Sequence, residues 1–333
     1  MKKIGVLGAG TWGTALAIML ADTDNEVSVW SAIDSEIDFL SSERRHPNLK
    51  GAVIPKGIKF TKSLEEICTD KDVLLFSVAS PYVRQTAHRA APYIKEGQLI
   101  VDVAKGIEDN TMLTMSEVIK DAVGKNITVV ALSGPSHAEE VAINLPTTIV
   151  SACKDMNAAR QVQDIFMNTC MRVYTNDDIL GVELCGALKN IIALACGISK
   201  GLGYGDNATA AIITRGIAEI ARLGSAMSCS RQTFAGLAGI GDLIVTATSC
   251  HSRNNKTGFL IGQGLAPSEA VKQVGMVVEG INALPSALKL AKKYNVDIPI
   301  IEAVDKTING GVSPLDALNA LMTRDKRNEL EKL

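Results

Sequence analysis

The 333-residue chain has no Cys-x-x-Cys pair, no basic excess, no internal repeat and no low-complexity stretch. Its seven cysteines, at positions 68, 153, 170, 185, 196, 229 and 250, are odd in number and scattered. That pattern excludes a disulfide framework and reads as reduced thiols in a cytoplasm. Cys250-His251 is half of a metal site, but no second pair at ligand spacing accompanies it, so no metal is expected. Lys and Arg number 34 against 36 Asp and Glu, a net charge of -2, and no nucleic-acid partner is expected. Met1-Lys2-Lys3 followed by apolar residues 4 to 21 has the outline of a signal peptide, which Gly5, Gly8, Gly10 and Gly13 interrupt. No other stretch comes near the roughly 18 uninterrupted apolar residues of a membrane span, and none is expected.

What is present begins with a strand, a glycine turn and a helix. Ile4–Leu7 runs into Gly8-Ala-Gly10-Thr11-Trp12-Gly13, and an apolar helical pattern follows to Ala21. This is the order a dinucleotide-binding fold requires: Gly8 for the tight turn, Gly10 for approach of the pyrophosphate, and Gly13 for packing of helix on strand. The phosphates are expected at the positive end of that helix. The second strand, Glu26–Trp30, departs from the usual fingerprint. An acid for the ribose 2′-hydroxyl is expected at its end, but Ser31-Ala32-Ile33-Asp34 follows, with no Arg for a 2′-phosphate. The choice between NAD and NADP stays open at this point.

Further strands are expected at Val73–Val78, Leu99–Val103, Thr128–Leu132, Thr147–Ala152 and Arg172–Tyr174, with helices between them such as Thr111–Val123 and Asn157–Met167. The alternation gives an α/β, Rossmann-type, mostly parallel sheet. After Tyr174 the strand signals stop. Helical patterns cover 179–199, 207–223, 256–263, 267–273, 280–294 and 313–322. The expected organisation is a dinucleotide-binding domain at 1–177 and an all-α C-terminal substrate domain at 178–333. The charged tail from Arg324 to Leu333 reads as a solvated helix end. Two loops at strand ends carry chemistry. Lys105 lies just past a strand's carboxyl end, where open sheets bind ligands. Gly134-Pro-Ser136-His-Ala138-Glu-Glu reads as a turn that caps a helix and offers Ser136 with backbone N–H groups.

Lys189 is the unusual residue of the second half. Leu184, Leu188, Ile191 and Ala195 form a buried helical stripe. The positions three and four away from Lys189 are Cys185, Gly186, Ile192 and Ala193, so no carboxylate on its own helix can pair with it. A lysine, with an ordinary pKa of about 10.4, exchanges protons near neutrality only if burial depresses that value. Asn190 stands beside it, and 200–207 forms a glycine-rich turn with an Asp or Asn cap. The glycine-dense turn Gly236–Gly241 delivers Asp242 among apolar residues, and Asp242 is the expected partner of Lys189. Thr246 follows one helical turn on. Ser252-Arg253-Asn254 offers a planar fork beside an amide donor, the chemistry of a phosphate clamp.

Taken together, Gly-Ala-Gly-Thr-Trp-Gly-Thr-Ala-Leu-Ala, Lys105-Gly-Ile, Gly134-Pro-Ser-His-Ala-Glu-Glu, Glu183-Leu-Cys-Gly-Ala-Leu-Lys-Asn-Ile, Gly239-Ile-Gly-Asp-Leu and Ser252-Arg-Asn resemble the NAD(P)-dependent glycerol-3-phosphate dehydrogenases of bacterial type. The resemblance runs from residue 4 to about residue 322. It implies hydride transfer between NADH or NADPH and dihydroxyacetone phosphate, reversibly giving sn-glycerol 3-phosphate for phospholipid synthesis. It implies Lys189 as proton donor and acceptor, with Lys105, Asp242, Asn190 and Thr246 in the catalytic group. It implies Lys105, Gly134, Ser136, Lys189, Asp242, Ser252, Arg253 and Asn254 as the substrate shell. Gly8, Gly10, Thr11, Trp12, Gly13, Lys105, Ala138, Arg253, Val277 and Glu279 would meet the cofactor. A cytoplasmic homodimer is implied as well. The departure lies at Ser31 and Ala32, where many members carry basic residues. Two alternatives are a dehydrogenase of the same architecture acting on a β-hydroxy acid or a sugar-acid phosphate, and a non-catalytic dinucleotide sensor.

Overall fold

The computed structural model describes residues 1–326, 328 and 329. The chain divides into two compact units: Met1–Glu108 with Leu113–Glu183, and Asp109–Met112 with the chain from Leu184 onward.

The first unit is built on strands β1 (Lys3–Leu7), β2 (Glu26–Trp30), β3 (Lys59–Thr61), β4 (Val73–Phe76), β5 (Leu99–Asp102), β6 (Thr128–Ser133), β7 (Thr147–Ala152) and β8 (Met171–Asn176). They form one sheet in the order β3-β2-β1-β4-β5-β6-β7-β8. All neighbours are parallel except β6 and β7, which run antiparallel. The sheet is thus mostly parallel, and the order reverses beside β1, where ligands of such folds bind. Its helices are α1 (Thr11–Ala21), α2 (Asp34–Glu43), α3 (Leu64–Cys68), α4 (Val83–Ala90), α5 (Met115–Val123), α6 (Ala138–Val141) and α7 (Met156–Phe166). The central strands are continuous apolar runs because helices cover both faces. Every residue of β4 is buried. One face buries Val6, Leu75 and Val101 with α1, and the other buries Leu7, Leu74, Phe76 and Ile100 with α4 and α5. Each such side chain contributes about 1.5–3 kcal/mol. In α1 every residue from Gly13 through Leu20 is buried, which explains its lack of a polar face.

The second unit is helical: α8 (Ile179–Gly201, its first turn in the first unit), α9 (Asp206–Ala226), α10 (Arg231–Phe234), α11 (Asp242–Thr248), α12 (Arg253–Gly262), α13 (Pro267–Val274), α14 (Glu279–Tyr294), α15 (Pro299–Ile308) and α16 (Pro314–Met322). By length and a mean hydropathy of 1.8 alone, α8 resembles a membrane span, although Glu183, Lys189 and Asn190 interrupt its apolar run. Its window is 94% buried inside the protein, the condition of a core helix.

Other expectations need correction. The helix expected from Thr111 begins at Met115, because Glu108 N–H donates to Leu113 C=O and Met112 takes a left-handed φ of 60°, closing a turn ahead of the Thr114–Glu117 capping box. The cap of α9 is Gly205, and its side chain neighbour Asp206 is already helical. The glycine-dense stretch Leu237–Gly241 is a π-helical turn leading into α11. Helix α15 gave no sequence signal that was read, although Pro299 occupies its first position. Of the charged tail, Arg324, Asp325 and Lys326 are exposed beyond the last helix, while Arg327 and Leu330 to Leu333 lie outside the described residues.

Candidate active site

In the first unit the glycine turn has the geometry its spacing predicts. Gly8 sits at φ +122°, and a Cβ there would come within 2.7 Å of the Ser77 backbone. A Cβ at Gly13 would collide with the Gly8 carbonyl. A Cβ at Gly10 would meet nothing within 4 Å, so the space above this helix cap is open. No acidic side chain stands in the first turn of α1, leaving its amide dipoles uncompensated by the chain itself. Open space and exposed positive dipole fit a dinucleotide pyrophosphate. Thr11 and Trp12 are half-buried on that turn, and Thr11 Oγ1 accepts from Asn48 Nδ2 at 3.1 Å.

At the strand ends, Lys105 Nζ donates to Gly134 C=O at 3.3 Å, and Ser136 Oγ donates to the same oxygen at 3.0 Å. Two expected side chains therefore converge on the carbonyl of a third expected residue. The loop leads into the four-residue helix α6 with His137 at its N-cap, while Ser136 turns back to Gly134. Gly134 is forced by its surroundings, since a Cβ there would lie 2.9 Å from Ile149 Cα. Ala138, at the start of α6, is half-buried.

Two buried carboxylates, Asp102 and Glu183, had no role in the sequence reading. Asp102 is 1% exposed at the end of β5; its Oδ1 accepts from Ala104 N–H at 3.1 Å, fixing the turn that leads to Lys105. Burial, and then the charge of Glu183, raise its pKa well above the carboxylate range. Glu183 accepts from Ser116 N–H at 2.8 Å, Ser116 Oγ at 2.7 Å and Thr114 Oγ1 at 2.9 Å. Burial raises its pKa, and those three donors oppose the rise. The available signals were a carboxylate closing an apolar strand, and Glu183 opening the most specific motif.

In the second unit Lys189 is 5% exposed in the middle of α8. The partner its own helix lacks is Asp242 of α11: Nζ donates to Oδ1 at 2.6 Å, with both side chains almost wholly buried. Nζ also donates to Thr246 Oγ1 at 2.5 Å. The Thr246 hydroxyl donates in turn to Asp242 C=O at 2.7 Å, one helical turn back. That bond fixes the hydroxyl proton away from Lys189 and presents a lone pair to the ammonium. Lys189, Asp242 and Thr246 thus form a closed polar cluster in an apolar setting.

Beside it, Asn190 Nδ2 donates to Gly186 C=O at 3.1 Å, and Asn190 Oδ1 accepts from Asn254 Nδ2 at 3.0 Å. Asn254 Oδ1 accepts from Gly280 N–H at 2.8 Å. The amide of Asn254 therefore joins α8, α12 and the first turn of α14. Backbone-to-backbone packing makes this possible: a Cβ on Gly197 would strike Asn255 C=O, and one on Gly258 would strike Leu194 C=O. Ser252 is buried and caps α12, its Oγ accepting from Asn255 N–H at 3.2 Å. Arg253 follows it, exposed on the first turn. Val277 is half-buried ahead of α14, and Glu279 opens that helix.

A protonated lysine held by a carboxylate and a hydroxyl can give a proton to a substrate oxygen and recover it. The Gly10 turn can hold a dinucleotide, and Arg253 is an exposed fork suited to an anion.

Known proteins match throughout. Residues 3–159 match the N-terminal domain, and residues 178–319 the C-terminal domain, of the family described as NAD-dependent glycerol-3-phosphate dehydrogenase. A glycerol-3-phosphate dehydrogenase (NAD(P)+) of Lactobacillus delbrueckii subsp. bulgaricus is 60% identical, with all of both chains covered. One from Bacillus subtilis is 47% identical over 100% of this chain and 97% of its own. The crystal structure of glycerol-3-phosphate dehydrogenase from Coxiella burnetii superposes with a TM-score of 0.93 at 34% identity, covering 97% of this chain and 99% of that one. The chain belongs to the NAD-dependent glycerol-3-phosphate dehydrogenase family.

Proposed function

We propose that the chain interconverts dihydroxyacetone phosphate and sn-glycerol 3-phosphate with NAD(H) or NADP(H). The observation that carries this reading is the buried Lys189–Asp242–Thr246 cluster, in a chain whose glycine turn fits a dinucleotide. A bound nicotinamide supplies or accepts the hydride at C2 of the substrate. Lys189 gives its proton to the C2 carbonyl oxygen during reduction and takes it back during oxidation. Asp242 balances the ammonium charge while Lys189 carries the proton, so the protonated lysine is not an isolated buried cation. Lys105 stabilises charge on the substrate oxygen. Arg253 binds the phosphate, and this remote binding orients C2. Asn190 and Asn254 hold α8 and α12 in register around Lys189. Ser136 and the Gly134 backbone complete the substrate shell, and Thr11, Trp12, Ala138, Val277 and Glu279 meet the dinucleotide.

The product would supply phospholipid synthesis, and the protein would act as a cytoplasmic homodimer; family membership supports both readings, and sedimentation measures the second. The deciding experiment follows nicotinamide absorbance during reduction of dihydroxyacetone phosphate, with unphosphorylated dihydroxyacetone as control. Turnover that requires the phosphate supports the reading. Absence of turnover from folded protein that still binds a dinucleotide overturns it in favour of another dehydrogenase substrate or a sensor.

A further inference from the structure

The end of β2 is tied to the glycine turn. Gly8 N–H donates to Trp30 C=O at 2.8 Å, so the residues after Trp30 border the turn that fits the pyrophosphate. In dinucleotide folds this position takes the adenosine ribose, where a carboxylate accepts from the 2′-hydroxyl and a guanidinium takes a 2′-phosphate. No carboxylate stands at the strand end itself, but the structure supplies one from the next helix. Ser31 is 6% exposed, and its Oγ donates to Glu36 Oε2 at 2.5 Å while accepting from Ile33 N–H at 3.2 Å. Glu36 lies in the first turn of α2, where the helix dipole favours its charge. Asp34 is a second, exposed carboxylate on that turn.

The nearby cations are committed or weak. Arg44 donates to Pro55 C=O and Ile58 C=O at 3.3 and 2.9 Å and stacks over Phe60. Lys62 is paired with Asp38 at 2.7 Å. His46 is buried, and its Nδ1 accepts from Asn48 N–H at 3.1 Å, so that nitrogen carries no proton. Burial lowers the pKa of His46 although the charge of Glu36 works against it, which leaves it neutral at neutral pH and places it in the field of Glu36. Arg45, Lys50 and Lys56 are the other basic residues of this loop, all exposed, and Arg45 lies beside His46 in the chain.

We propose that Ser31 and Glu36 together form the ribose-diol site of this chain and make it select NAD(H) over NADP(H). The site takes a neutral vicinal diol, with Glu36 accepting from a hydroxyl, and it repels a phosphate monoester at the same place. The inference rests on the dinucleotide reading of the Gly8–Gly13 turn.

Isothermal titration of the whole chain with NADH and with NADPH, without substrate, tests it. NADH is expected to bind at least about tenfold more tightly, since like charges at close range disfavour the wrong ligand strongly. Glu36→Gln keeps the hydrogen bond to Ser31 and removes the charge; it is expected to narrow the ratio several-fold, mainly by tightening NADPH. Equal or tighter binding of NADPH by the unaltered chain overturns the proposal, and loss of that binding in Arg45→Ala would identify Arg45 as a 2′-phosphate contact instead. An unchanged ratio in folded Glu36→Gln also overturns it. Failure to bind either dinucleotide would instead bring down the dinucleotide reading itself.

Discussion

Lys189 and Asp242 are 53 residues apart in sequence and 2.6 Å apart in the fold, each almost wholly buried. Neither charge is tolerable there alone, because removing one partner strands the other in an apolar interior. Lys189→Met is expected to lower kcat by about 10²–10⁴ through loss of the proton carrier. It should also cost roughly 3–5 kcal/mol of stability by leaving Asp242 unpaired. The double variant Lys189→Met with Asp242→Leu should regain most of the stability and none of the activity. Denaturant titration beside initial rates separates the two effects. A single variant with full activity would remove Lys189 from the chemistry.

The Asn190–Asn254–Gly280 chain makes a different kind of prediction. Asn254 Oδ1 is the acceptor for the buried Gly280 N–H, and Asn254→Ala leaves that donor without it. The expected cost is about 1–3 kcal/mol, measured as a lower urea midpoint. Because the amide also ties α12 to α8, KM for the phosphorylated substrate should rise in the same variant. Wild-type stability would show that the asparagine bridge carries no structural role.

Glycines in the turn separate folding from binding. Gly10→Ala puts a methyl into open space, so stability should change by less than about 0.5 kcal/mol. The same methyl stands where the pyrophosphate must approach, and dinucleotide affinity should fall at least about tenfold. Gly13→Ala drives its methyl into the Gly8 carbonyl and should destabilise the protein directly, by about 1–3 kcal/mol. Thermal melts and dinucleotide titrations on both variants distinguish the two roles. Equal stability losses would mean that the space at Gly10 is not open in solution.

The sheet was legible because its signals are local. Val73–Phe76 and Thr128–Ser133 are apolar runs of strand length, and the glycine turn announces β1 and α1 by spacing alone. Strand β3, with three residues and only Phe60 apolar, has too little pattern to be read. Helix α15 follows Asn-Val-Asp-Ile, and its start is held by a carboxylate from α9, some 80 residues away, which no local window contains. The site divides in the same way. Lys189 drew attention because its own helix offers it no partner, and that absence is visible in sequence. The burial of Asp102 and the hydrogen bond between Ser31 and Glu36 were not visible in sequence, because each depends on how the chain folds around it.

The carboxylate that holds α15 supplies a pH dependence. Glu219 of α9 is 2% exposed, and its oxygens accept from Ile300 N–H at 2.7 Å and Ile301 N–H at 3.3 Å, satisfying amides of the first turn of α15. Burial raises its pKa from 4.5 to about 7, with the two backbone donors opposing the rise. Between those values the folded chain keeps a proton that the unfolded chain has released. The contribution of this group is therefore fully present below about pH 4.5 and is lost as pH rises through about 7, on the order of 3 kcal/mol in all. Glu219→Gln cannot titrate, so its stability should not fall with this group over the same range. The urea midpoint of the wild type minus that of the variant should decline from about pH 5 to about pH 8 and level off above it. A difference that stays constant, or that grows with pH, would mean that Glu219 is ionised in the folded protein throughout and serves α15 as a charged cap.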